Sequence, residues 1–545
     1  MLKRVGILIG MSSVAVSPWT TFDPINPIKL ALLTLCGCSC LIFLILKRKQ
    51  MSFNRVLLVI FSVFFLQILI STLFSKAGLF QGLFGTGGRF IGAVSLLMFG
   101  VITIFLAHHF QQGFILSIFL VTALLSLIYS LLQKFGLDPA PWSNVYNSVI
   151  GFLGNPNFQS SLFGLLLIAL LGKLFTHRKD YRISFTIVIL MGVVTFLILG
   201  SKSIQGIFVL LAGIIAYLLY YLLARKMYIG FGAISLSALV SILLFIPGVL
   251  GFGPLAQYIH KGTLAIRGDY WLAGLSMAKD NMLLGVGPDQ YGTWYRFYRN
   301  TEAVSRINSE VVSNSAHNGY IDLAANLGLV ALLAYLAIQV YVFVLVVRFI
   351  STHGTVNTEH AVFFALWVGF QAQMLISPNQ LGLAIWGWVF AGVLISYDTY
   401  GKGTSEKLKE VRKAPEVNSK SKSEDFSMIG SWAIGAMLSA VIIGPFFYTQ
   451  AEYRSALMSG DAIQLLKAAN LKPHQEEVIN QTISIFVTNR LNSMARELNI
   501  EMLREFPNSF EGWRSLSKNP EASASEIEQA KAQLIRLDPH NPDLR

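Results

Sequence analysis

Cysteine is almost missing from this sequence. Its three cysteines, Cys36, Cys38 and Cys40, fall in one apolar stretch, and the long polar segments hold none, which excludes a disulfide framework outside that stretch. Small soft side chains without polar company read as packing inside a helix, since a metal or redox site needs polar groups behind its ligands. Charge is scarce too: 13% of residues, with 29 acidic against 42 basic side chains. So few charges cannot coat a water-soluble chain of this length. What abounds is apolar, 54% of 545 residues at a mean hydropathy of +0.58, too greasy for globular domains and too long for a single span. The fold class expected is an all-α polytopic membrane protein.

With about 20 apolar residues per membrane helix as ruler, the chain divides into about thirteen candidate spans. They lie near 4–19, 28–46, 54–74, 90–107, 113–132, 158–175, 183–200, 204–223, 229–249, 318–347, 360–376, 381–397 and 428–448. The first, with Lys3 and Arg4 ahead of an apolar run, also has the form of a signal sequence; its cleavage would leave the downstream topology unchanged. A net charge of +13 invites a nucleic-acid reading until the charges are placed. With the N-terminus inside, the inner loops hold Lys47, Arg48, Lys49 and Arg55; Lys173, Arg178, Lys179 and Arg182; Arg225 and Lys226; and Lys402, Lys407, Lys409, Arg412, Lys413, Lys420 and Lys422. The short outer loops hold little beyond Lys76, Arg89, Lys134 and Lys202. This is the positive-inside bias of a bacterial inner membrane protein with its N-terminus in the cytoplasm and its C-terminus outside, and no nucleic acid is expected.

Four parts follow: residues 1–250 as N-terminal transmembrane helices, 251–316 as an extracytoplasmic loop where chemistry is expected, 317–449 as C-terminal transmembrane helices, and 450–545 as an extracytoplasmic helical domain. In the last, Ala495, Leu498, Met502, Leu503 and Phe506 keep helical spacing before Pro507, and a second helix from Ser525 ends at Asp538-Pro539. Two proline stops about 32 residues apart suggest tetratricopeptide-like repeats and a docking surface for a protein partner.

The loop opens with a helical segment carrying Arg267, Asp269, Trp271, Leu272 and Leu275, suited to lie on a bilayer surface, and ends it at Leu284-Gly285-Val286-Gly287-Pro288. Tyr291, Trp294, Tyr295, Phe297 and Tyr298, interleaved with Arg296 and Arg299, have the composition of an aromatic belt at lipid headgroups. His317 closes the loop at the start of an apolar run. A lone histidine there is commonly a polar tip or cap, but a neutral imidazole can also accept a proton from an alcohol. Arg267 offers a planar donor array for phosphate oxygens, and Lys202 and Arg89 offer further cations; each can equally snorkel to headgroup phosphate. The outer loops lack clustered Asp, Glu, Cys and His at metal-ligand spacing, and no cofactor is expected.

Arg267 ahead of Trp271, then Gly285-Val286-Gly287, then His317-Asn318-Gly319-Tyr320 with Leu327-Gly328-Leu329 together resemble the O-antigen ligase and polymerase family of bacterial membrane glycosyltransferases, whose relatives include protein O-oligosaccharyltransferases. Gly154-Asn155-Pro156-Asn157 and the Ser201-Lys202 turn fit the same pattern. The resemblance implies a metal-independent, inverting transfer of a glycan from undecaprenyl diphosphate to a hydroxyl of a glycan, lipid core or protein. It makes His317 the base and Arg267 a catalytic cation, with Lys202, Arg89, Asn318 and Asp322 binding substrate. Relatives often carry Arg at the place of Lys202, Pro at Met282 and an acid at Asn326; Asp322 is the nearest substitute for that acid. The alternative is a carrier or flippase for lipid-linked glycans, which would concentrate polar residues in broken helices at mid-membrane.

Overall fold

The computed structural model describes all residues except 18–22, 52–53, 75–77, 110–111, 141–148, 402–421 and 545. Lys76 and the basic run from Lys402 to Lys420 therefore lie outside the described residues. The architecture is all-α, with 79% helix and no strand among the described residues.

Helices stand at all thirteen expected spans: α1 (Leu2–Val14), α2 (Asn26–Lys47), α3 (Arg55–Phe74), α5 (Ala93–Ala107), α6 (Gln112–Lys134), α7 (Pro156–Thr176), α8 (Tyr181–Gly200), α9 (Gln205–Ala224), α10 (Tyr228–Val249), α15 (Gly319–His353), α16 (Thr358–Ile376), α17 (Leu381–Gly401) and α18 (Lys422–Ser459). Ten of them are long and apolar enough to cross a membrane; α1, α5 and α16 are not among these. The 15 residues of α5 extend about 22 Å, short of the ~30 Å hydrocarbon layer. In α5 14 of 15 residues are buried and in α16 13 of 19, so these two line the interior, where protein more than lipid surrounds them. In contrast, α8 and α10 expose Phe185, Val188, Leu236 and Leu243, as helices facing lipid do.

Between α3 and α5 lies the short α4 (Leu79–Phe84), and between α10 and α15 lie α11 (Ala256–Ile259), α12 (Gly262–Asp280), α13 (Tyr291–Tyr298) and α14 (Thr301–Arg306). The C-terminal segment adds α19 (Ala462–Ala469), α20 (Glu476–Thr488), α21 (Asn492–Glu505), α22 (Phe510–Ser517) and α23 (Ala524–Leu537), the last opened by a reciprocal capping box between Ser523 and Glu526. Here α18 runs on past Thr449, where the sequence reading ends the bundle. Ile443 and Phe446 on it belong to the bundle core, and Tyr453 and Ala456 to the core of the C-terminal segment. The five added helices have 8, 13, 14, 8 and 14 residues, an irregular series in which no two equal repeats stand out.

Two expectations for the loop are corrected. Tyr291, Trp294 and Tyr295 do not form a headgroup belt; they close a small core with Ala273, Met277, Val286, Ala316 and Ala325. On α12, Trp271 is buried but Leu275 is 45% exposed, because the buried face runs through Gly268, Asp269, Ala273, Gly274 and Met277.

Candidate active site

The tenth expected span is not one helix. At Gly328 the chain takes φ +84° and breaks α15 nine residues after its start. The break exposes carbonyls that need donors, and the glycine motif supplies them. Val286 donates its N–H to the Ala325 carbonyl at 2.8 Å and Gly287 to that of Asn326 at 3.0 Å, while Leu329 donates to the Met282 carbonyl at 2.7 Å. From α3, Gln67 Nε2 donates to the carbonyls of Leu283 (2.5 Å) and Leu327 (2.8 Å), and Ser71 to that of Leu284 (2.6 Å). A Cβ at Gly285 or Gly328 would collide with backbone of the opposite strand of this contact. The two glycine motifs are thus two sides of one backbone-on-backbone joint. Asn326 serves it: its Oδ1 accepts from Tyr291 N at 2.8 Å and its Nδ2 donates to the Asp322 carbonyl at 2.8 Å.

The joint fixes where residues 313–318 run. Asn318 is the N-cap of α15, its Oδ1 accepting from the amides of Tyr320 (3.0 Å) and Ile321 (3.2 Å). His317, one residue earlier, adopts φ +51°, a left-handed conformation uncommon for any residue with a Cβ. Its ring stacks on Tyr270 at 5.5 Å and 26°. Burial first, then the charges of Arg267 and Arg89, lower the imidazole pKa to about 4, so the ring is neutral at neutral pH.

Arg89 is held on three sides. Its Nε lies 3.0 Å from Asp289 and its Nη2 3.7 Å from Asp322, and its Nη1 donates to the Asn314 carbonyl at 2.6 Å. Asp289 in turn accepts from the Thr86 amide at 2.9 Å, and Asp322 from the Ala316 amide at 2.8 Å. Asp322 therefore orders the His317 loop through the backbone and through Arg89. Arg267 has simpler company: its Nη1 donates to the Ile376 carbonyl at 3.0 Å, and burial lowers its pKa, with no acid among the described residues offsetting it.

His317 and Arg89 line a cavity of about 320 Å³ at the end of the bundle, together with Asp23, Asn26, Asn155 and Gln380. Arg267 is not among the lining residues; its hydrogen bond to the Ile376 carbonyl ties it to the chain two residues before Pro378, which does line the cavity. The Gly154-Asn155-Pro156-Asn157 motif builds another wall: Gly154 at φ +73°, Asn155 as N-cap accepting from Asn157 N, and Pro156 opening α7. Lys202 stays outside the lining, exposed on a turn at φ +56°, although Ser203 of that turn donates to Asn157 Oδ1 at 2.8 Å. Sequence reading missed Asp23, Asn26 and Gln380. The signal for Gln380 was the polar Ser377-Pro378-Asn379-Gln380 link between two apolar helices. Gln380 Nε2 donates to Asn26 Oδ1 at 2.9 Å, and Asn26 Nδ2 to Asp23 at 2.7 Å.

A family model described as O-antigen ligase matches residues 186–336. That segment is similar to the O-antigen ligase family. It contains Lys202, Arg267, both sides of the glycine joint, His317, Asn318 and Asp322. Arg89, the α7 motif and the C-terminal segment lie outside the ligase match, so its cavity is completed by parts of the chain before and after it. No curated protein and no solved structure matches the chain.

Proposed function

We propose that the protein is a membrane glycosyltransferase of O-antigen ligase type, which moves a glycan from undecaprenyl diphosphate to an acceptor hydroxyl on the extracytoplasmic face of the inner membrane. The product is a ligated or polymerised surface polysaccharide, or an O-glycosylated protein. The observation that carries this reading is Arg267: a guanidinium desolvated by burial, with no carboxylate partner among the described residues, whose charge lowers the pKa of His317. A half-buried cation without an acid beside it is stabilised by an arriving anion, and a diphosphate matches the planar fork.

The acceptor hydroxyl donates its proton to His317 as its oxygen attacks the anomeric carbon. The bond from that carbon to the diphosphate oxygen breaks, and the electron pair leaves with the diphosphate, whose charge Arg267 stabilises. The same anion offsets the two cations that depress His317, so the imidazole becomes a stronger base when donor is bound. The break at Gly328 is the one feature that favours a carrier. Its carbonyls are consumed by Gln67, Ser71 and the glycine amides rather than lining a passage, which supports the enzyme.

The basic residues at the ends of α2, α7 and α9 support the orientation with the cavity outside. Reporter fusions after Ala303 and Asp461 should report outside, and one near Lys413 cytoplasm; a cytoplasmic signal at Ala303 removes the proposal. For the chemistry, a deletion strain analysed by mass spectrometry should accumulate lipid-linked glycan and lose one glycosylated product. Unchanged pools of both would overturn the reading.

A further inference from the structure

The C-terminal segment contacts, through two separate anchors, the stretches of chain that lead to the cavity-lining residues Arg89 and His317. One is on the His317 side. Asp538, with no exposed side-chain surface, accepts from Arg299 Nε at 3.0 Å and Nη2 at 2.5 Å, and from Arg296 Nη1 at 3.3 Å. Arg299, equally sealed from solvent, also donates to the carbonyls of Ser309 (2.8 Å) and Val311 (3.1 Å). The Arg296 guanidinium lies 4.0 Å over the Phe510 ring, and Arg514 meets Glu310 at 2.7 Å. The other anchor is on the Arg89 side. Glu477 accepts from the Gly87 amide at 2.8 Å, two residues before Arg89, and Glu476 accepts from Gln81 Nε2 at 3.2 Å.

Each anchor continues into the reacting groups. Arg299 follows α13, where Tyr295 meets Tyr270 edge-on at 5.4 Å, and Tyr270 carries the His317 ring. The Gly87 turn leads to Arg89, whose Nη1 reaches back to Asn314 in the His317 loop. Neither anchor is needed for the segment's own fold, since Tyr453, Ile483, Phe486, Leu498, Trp513 and Leu534 close a core of their own. A buried ion pair is an expensive way to glue surfaces, because desolvation cancels most of its attraction; what it fixes is geometry. A domain that only displayed a surface to a partner would need neither the pair nor a second anchor beside Arg89.

We propose that the C-terminal segment is a clamp that holds the two walls of the transfer site in register, with Asp538 and Glu477 as positioning residues acting through Arg299 and the Gly87 turn on His317 and Arg89. The proposal rests on the glycosyl-transfer reading above. Its test uses the full chain in lipid nanodiscs, as wild type, Asp538→Asn and Glu477→Ala, with hydrogen exchange measured at residues 86–91 and 311–318 and steady-state kinetics on the same samples. Asp538→Asn should speed exchange at 311–318 about tenfold or more, because it strands a buried guanidinium, and Glu477→Ala should speed it at 86–91 about threefold. In both, kcat should fall while KM for the donor changes less than about threefold. Glu477 is exposed, so its variant keeps the test open should Asp538→Asn fail to fold. Unchanged exchange at both segments overturns the clamp, and so does a rise in acceptor KM with kcat retained, which would make the segment a docking surface. Altered exchange with no transfer even by the wild type would overturn the transfer reading and leave the mechanical clamp standing.

Discussion

Arg89 and Arg267 depress the same histidine, yet they live in opposite company. Arg89 sits between Asp289 and Asp322 with a carbonyl on its third side; among the described residues Arg267 has one carbonyl and no acid. The first arrangement is electrically closed and serves as scaffold for the His317 loop. The second is open, and an open desolvated cation is where an anionic ligand gains most. Burial alone does not separate a structural arginine from a binding one; the balance of charge around it does.

The comparison has meaning only if His317 is the group both arginines serve. General-base assistance is worth about 10² to 10⁴ in rate, so His317→Ala should lower transfer by that order with the protein still inserted in the membrane. Asn318→Ala, which weakens the same helix start by about 1 kcal/mol, should cost far less activity per inserted molecule. Equal losses in the two variants, explained by lower abundance, would make His317 a structural residue.

The arginines themselves should fail in different assays. Arg89→Met strands two buried carboxylates, a loss of about 3–5 kcal/mol, and should appear as lost membrane abundance and faster proteolysis. Arg267→Lys keeps the charge but not the fork; abundance should hold while turnover falls about tenfold or more. If Arg267→Lys is fully active at matched abundance, Arg267 is a headgroup contact and the contrast collapses.

A pH profile sharpens the same point with a smaller effect. His317 is depressed from the ordinary 6.5 to about 4 in the free protein. Activity that needs the neutral ring should therefore persist on acidification and be lost only as pH falls through that value, seen as the acid limb of kcat/KM. Arg267→Gln removes the second-ranked cause of the depression and should move the limb upward, still short of 6.5 because burial, the largest cause, remains. A limb that stays in place would deny that the Arg267 charge reaches His317.

Much of this was legible in the sequence because it is local. Apolar run length places the helices, and Gly154-Asn155-Pro156 writes its own cap. His317, Arg267 and the glycines stand out because few residue types can do what they do. The rest depends on partners far along the chain. Gly328 reads as a tolerated glycine in a span until Leu283 and Met282 are seen against it. The Tyr291 to Arg299 segment has the composition of an interfacial belt, and only Asp538, 239 residues beyond Arg299, reveals that its arginines face protein. Asp289 looks isolated in sequence because its partners, Thr86 and Arg89, come from another loop. Spacing cannot report such pairings.

The smallest effect expected is at Lys202, and it bears on whether a second open cation exists. Lys202 resembles Arg267 in carrying a basic charge within the matched segment and in standing outside the cavity lining, but it is exposed on its turn while Arg267 is half-buried. An exposed ammonium is well solvated and contributes little to holding an anion beyond a screened long-range attraction. The clean substitution is Lys202→Gly rather than Ala, because the position has φ +56°, which glycine adopts without the steric cost an added Cβ meets. Any loss of activity then reports the charge and not backbone strain. With a short soluble donor analogue, KM should change by about twofold or less and the change should vanish in high salt. A tenfold rise in donor KM that survives salt would show that the turn closes over the diphosphate when donor binds, and the site would then have two open cations rather than one.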